Sequence, residues 1–81
     1  MARSVARALL LEGRVTAGTA AQLEDEWRSI AGWPGRLVAD LSGVLYADEP
    51  GAKALAELRR HGVSLEGGSG FVRELIQEVS S

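Results

Sequence analysis

The sequence predicts a small α/β domain. The expected architecture is a mostly parallel or mixed sheet of three to four strands bearing three helices, in the order β-α-β-α-β-α. Two observations carry it. Short apolar runs at residues 5–12, 36–41 and 63–66 alternate with stretches of helical periodicity. Glycine or proline stands at the boundaries between them. Strands separated by helices pair in parallel through right-handed crossovers.

Composition bounds the function. Eighty-one residues, 46% apolar and 25% charged, make one globular domain, 1–81. The net charge of −2 offers no basic field for nucleic acid. The absence of cysteine removes disulfide and thiolate chemistry and fits a cytoplasmic setting. Arg7 and Glu12 bracket only four apolar residues, 8–11, short of the ~7–15 that a secretion signal needs. No run approaches the ~18–20 apolar residues of a membrane span, so no membrane insertion is expected.

Residues 5–12 read as the first strand, closing on Glu12-Gly13. The first helix opens at Thr16 or Thr19 and runs to Ala31, with Leu23, Trp27 and Ile30 at helical spacing toward the sheet. Glu24 and Arg28 pair on its outer side. Gly32-Trp33-Pro34-Gly35 ends it. The second strand covers 36–41; its continuous Leu37-Val38-Ala39 suits burial on both faces, and Ser42-Gly43 closes it. The second helix runs from Pro50 to His61, capped by Asp48 or Glu49, with Leu55 and Leu58 inward and Lys53, Glu57 and Arg60 outward. Gly62 stops it. Residues 63–66 form the third strand. Ser69 caps the third helix, whose stripe is Val72, Leu75, Ile76 and Val79.

Catalytic and metal readings find little support. His61, the single histidine, suits a helix C-terminus, where a cation is favoured by ~0.3–1 kcal/mol. No nucleophile, base and oxyanion set assembles, so no enzyme is expected. One histidine without cysteine removes the usual zinc arrangements, and Asp48 beside Glu49 cannot alone surround a cation. Gly67-Gly68-Ser69-Gly70 lacks the lysine of a phosphate-binding loop and the glycine spacing of a dinucleotide fingerprint. No cofactor is expected. Trp27 belongs on the apolar stripe; Trp33 lies in a turn, either anchoring a partner or closing the core edge. Asp40, ending an apolar strand, is expected to accept from following N–H groups. Asp48-Glu49-Pro50-Gly51 has two open readings, a capped helix start and a recognition knob after a strand end.

The chain resembles the STAS domain, the module of bacterial anti-sigma factor antagonists that also occurs in anion transporters. The residues that carry the resemblance are Leu11-Glu12-Gly13-Arg14-Val15, Thr19-Ala20, Asp40-Leu41-Ser42-Gly43-Val44, Asp48, Gly51 and Gly62-Val63. It implies a small mixed sheet with helices packed on it. In the antagonists, an Asp-Ser-Ser-Gly step leads into the second helix, and a partner kinase that is also the anti-sigma factor phosphorylates the second serine. Asp48 and Gly51 match that motif, but Glu49 replaces its first serine and Pro50 the phosphorylated one. Two outcomes follow: constitutive binding, or Glu49 imitating the phosphorylated state. Ser42 is the nearest remaining hydroxyl.

The expected function is therefore a non-enzymatic interaction module lacking the serine switch. Its contact face comprises Asp48, Glu49, Pro50, Gly51, Lys53 and Glu57, flanked by Ser42 and Tyr46. The partner is an anti-sigma factor of the kinase type. The alternative is a small cytoplasmic subunit of a membrane transport complex that binds an ATPase subunit. A third reading is nucleotide or anion binding at the helix starts of Pro50 or Ser69. Typical members carry a further strand before the first one read here, and its absence would leave an open edge for a homodimer.

Overall fold

The computed structural model describes residues 2–5, 8–32 and 36–80. The elements are β1 (Ala2–Val5), β2 (Ala8–Val15), α1 (Ala17–Ile30), β3 (Val38–Ala47), α2 (Glu49–Arg60), β4 (Ser64–Glu66) and α3 (Gly70–Ser80). The sheet order is β1-β2-β3-β4. β2, β3 and β4 run parallel, and β1 is antiparallel to β2. The expected α/β class and the alternation of strands and helices are borne out.

The structure corrects the amino-terminal reading. Residues 5–12 are not a single strand: Val5 pairs with Ala8 across a hairpin, and β2 extends to Val15. The additional strand expected to be missing is present as β1. The edge of β2 is occupied, which removes the open edge on which the homodimer expectation rested. Trp33 and the Pro34-Gly35 step lie outside the described residues.

β3 is also longer than residues 36–41. Ser42-Gly43 does not end it, because two bulges absorb the misfit. Leu10 faces Asp40 but Glu12 faces Gly43; Gly13 faces Val44 but Arg14 faces Tyr46. β3 thus carries one extra residue at each step. Gly43 is needed there, since a Cβ would stand 3.0 Å from both the Leu11 carbonyl oxygen and Glu12 Cγ.

The core lies between one sheet face and the helices. Leu9, Leu11 and Val15 of β2 and Ala39, Leu41, Val44 and Ala47 of β3 form one cluster with Leu23, Ile30, Leu55, Leu58, Val72 and Ile76. On the other face Leu10, Val38 and Asp40 are half-buried, and Glu12 and Arg14 are exposed. The sheet is therefore covered on one face, not two. Burial alternates in β2 but spaces by three residues along Leu41, Val44 and Ala47 as the bulges rotate the strand.

Helix termini follow local chemistry. Ser69 Oγ accepts the Val72 N–H at 3.3 Å. α2 ends in a Schellman arrangement: Gly62 (φ +93°) donates to the Arg59 carbonyl at 3.0 Å and Val63 to that of Leu58 at 3.1 Å. Trp27 is half-buried and stacks on His61 with centroids 5.8 Å apart. It borders the core rather than joining it.

Among the described glycines the tightest position is Gly51. It is buried, and a Cβ there would overlap the Val15 carbonyl oxygen. Since backbone on both sides must shift, Gly51→Ala should destabilise the domain by about 3 kcal/mol or more in urea unfolding. Gly70→Ala meets nothing within 4 Å and should change stability by less than ~0.5 kcal/mol.

Candidate functional site

Asp48 is the N-cap of α2 and serves two helices. Its Oδ1 accepts the Gly51 N–H at 2.8 Å, and its Oδ2 accepts the Ala17 N–H at 3.3 Å. Its own N–H donates to the Val15 carbonyl at 3.3 Å. One carboxylate thus satisfies orphan donors at the starts of α1 and α2. Thr19 completes the α1 start: its hydroxyl oxygen accepts the Thr16 N–H at 2.9 Å.

That clasp presents the corner. Glu49 and Pro50 are exposed, while Asp48 is half-buried and Gly51 buried. Glu49 pairs with Lys53 one turn on, Oε1 to Nζ 3.4 Å. Glu57, a further turn along, pairs with Arg60 at 3.1 Å and lies 3.8 Å from His61 Nε2. Exposed pairs of this kind contribute ~0.2–1 kcal/mol each. Lys53 and Glu57 stand on the same helix as the corner, as expected from the sequence.

The two flanking residues part company. Ser42 is exposed in the first bulge, and its N–H donates to Asp40 Oδ1 at 2.9 Å. Its other close neighbour is Gly67: a Cβ there would stand 2.6 Å from Ser42 Oγ. Ser42 therefore lies beside the turn that follows β4. The Ser42 hydroxyl, with its backbone N–H, holds the Asp40 carboxyl below its ordinary value of 3.8. Asp40 behaves as its sequence setting implied.

Tyr46 instead anchors a surface that the sequence reading missed. It is 39% exposed, stacks on Phe71 of α3 at 6.1 Å, and lies under the Arg14 guanidinium at 5.2 Å. Leu45, the extra residue of the second bulge, is 82% exposed, and Phe71 is 55% exposed. Among the described residues these three are the exposed large hydrophobic side chains, and they gather at the end of β3 that leads into the corner. A signal existed in the sequence: Phe71 falls off the Val72–Ile76 stripe, and the Leu45-Tyr46 pair breaks strand alternation.

A groove of about 270 Å³ lies between α1 and α2, lined by Leu23, Glu24, Trp27, Arg28, Ala54, Glu57, Leu58 and His61. No group of three His, Cys, Asp or Glu among the described residues could hold a metal ion. No helix among them is long and apolar enough to cross a membrane.

Two outcomes follow from this geometry. Asp48→Ala loses two helix caps and should cost about 2 kcal/mol in thermal or urea unfolding, while Asp48→Asn, which keeps an acceptor oxygen, should cost less. The folded carboxyl of Asp40 titrates below its unfolded value of 3.8, so its contribution is present above that pH and lost as pH falls through the folded value. Acid titration of stability should therefore be shallower in Asp40→Asn than in the native chain below pH 3.8.

No protein-family model matches the chain, and no curated protein matches it by sequence. Among solved structures it is similar to the anti-sigma factor antagonist SpoIIAA in its unphosphorylated form. The TM-score is 0.70 at 15% identity, covering 95% of this chain and 80% of that one. At such identity the likeness is one of fold. With its paired β2-α1-β3-α2-β4-α3 order, the chain has the STAS-like α/β fold that its sequence predicts.

Proposed function

We propose that the chain is a non-enzymatic, cytoplasmic protein-interaction module of the anti-sigma factor antagonist kind, without a serine switch. One observation carries the reading. In a fold shared with such an antagonist, the exposed corner between Asp48 and Gly51 holds Glu49 and Pro50, neither of which has a hydroxyl. A kinase-type partner therefore has no phosphate acceptor at that corner, and binding is governed by surface chemistry alone. The docking face runs from Tyr46 through Glu49 and Pro50 to Lys53 and Glu57, shaped by Asp48 and Gly51. Leu45, Phe71 and Arg14 extend it. An exposed aromatic and aliphatic cluster beside an arginine has the composition of a protein interface. Ser42, tied to Asp40 and beside the turn that follows β4, stands at its margin.

The test is binding of the purified chain to the kinase-like anti-sigma factors of its own host, with and without MgATP. Binding should be indifferent to ATP, and mass spectrometry should find no phosphate on the chain. Pro50→Ser should gain both phosphate and ATP-dependent release. Leu45→Asp should weaken binding at least ~30-fold, as loss of an interface anchor costs ~2 kcal/mol or more. Phosphate on Ser42 of the native chain would overturn the reading. So would a transporter ATPase subunit binding in place of the anti-sigma factor.

A further inference from the structure

A second site lies beyond the α3 end of the docking face. α2, α3, β3 and β4 border a solvent-open pocket of about 110 Å³ lined by Leu41, Arg59, Leu65, Arg73, Ile76 and Gln77. Leu41 and Ile76 are buried and give it an apolar floor. Two arginines supply its charge. Each is held by one hydrogen bond to a neutral acceptor: Arg59 Nη2 donates to Ser80 Oγ at 2.6 Å, and Arg73 Nη1 to the Gly67 carbonyl at 3.0 Å. The Arg73 stem packs beside Gly68, where a Cβ would stand 3.8 Å from Arg73 Cγ.

Arg28, Lys53 and Arg60 each have a carboxylate within 4.0 Å. Among the described residues Arg14, Arg36, Arg59 and Arg73 have none, although the chain has more acids than bases, and of these four Arg59 and Arg73 line one pocket. Arg73 also sits in the first turn of α3, where the helix dipole disfavours a cation. Two like charges thus share one cavity without an internal counter-charge.

We propose that this pocket binds a single oxyanion, a phosphate or a carboxylate, between Arg59 and Arg73. Guanidinium forks match such groups bidentately, and each leaves most of its five donors for the ligand. The volume suits one oxyanion group and falls well below the ~300–1,000 Å³ of organic-ligand sites. Arg59 lies ten residues after Glu49 on α2, about 15 Å along the helix. Arg59 is therefore remote from the acidic corner, while Arg73 stands two residues after Phe71; the proposal does not rest on the docking reading.

The experiment is an amide NMR titration of the full chain at fixed ionic strength. Inorganic phosphate, acetate and a phosphoserine peptide are compared with chloride. Saturable shifts at Leu65, Arg73, Ile76 and Gln77 are expected with phosphate or with the peptide. Response to the free ion marks a solute site, and response to the peptide alone marks an oxyanion carried by a partner. Arg59→Gln and Arg73→Gln should each weaken binding about tenfold or more, and Arg73→Lys should fall between. Unchanged thermal unfolding of these exposed-residue variants separates lost binding from lost fold. Shifts that do not saturate, that chloride reproduces, or that survive in the double variant overturn the proposal.

Discussion

The Asp48 carboxylate is the constraint on which the functional end of this molecule depends. It closes the starts of two helices, through Gly51 and through Ala17, which lies 31 residues before it in sequence. The absence of a side chain at Gly51 allows α2 to approach the Val15 carbonyl, which in turn accepts the Asp48 N–H. β2, α1 and α2 therefore meet at one point. Once they do, the direction in which Glu49 and Pro50 leave the surface is settled by geometry. Glu49 at the first helical position faces the positive end of the dipole, and Pro50 lacks an N–H only where no intrahelical partner exists.

This separates two roles within a four-residue motif. Asp48 and Gly51, which match the antagonist step, are the positions the fold itself requires: a cap and a close approach. Glu49 and Pro50, which depart from it, face solvent and are constrained by helix chemistry alone. The match is thus a property of the architecture, and the departure is a property of the surface. The corner's geometry therefore does not depend on which side chains occupy positions 49 and 50.

What was legible in the sequence was local. Ser69, Gly62 and the Asp48–Gly51 cap act within a few residues, so the starts of α2 and α3 and the end of α2 could be read from residue type; the Asp48 contact with Ala17 could not. What escaped depended on a second strand. No glycine, asparagine or proline marks the turn between β1 and β2, and their pairing becomes visible only when Val5 meets Ala8. In β3 the bulges change the burial spacing from two residues to three, so Leu41, Val44 and Ala47 carry a period that a strand template rejects. Trp27 shared helical spacing with Leu23 and Ile30, but spacing cannot say that the groove between α1 and α2 stops short of covering it.

The same bulges account for the candidate surface. Under strict alternation after Val44, Leu45 would face outward, Tyr46 inward, and Ala47 would end the strand on the outer face. With the bulge, Val44 and Ala47 stay in the core while Leu45 and Tyr46 both point outward. Tyr46 is then placed to meet Phe71 from α3 and Arg14 from β2. Exposed apolar surface adds nothing to a one-sided core and costs solubility. Its presence here follows from register, and register also delivers Ala47 to the core just before Asp48 begins the clasp. The apolar cluster and the acidic corner are accordingly linked through the bulge: removing it would bury Tyr46, turn Ala47 outward and displace the cap that orients Glu49 and Pro50.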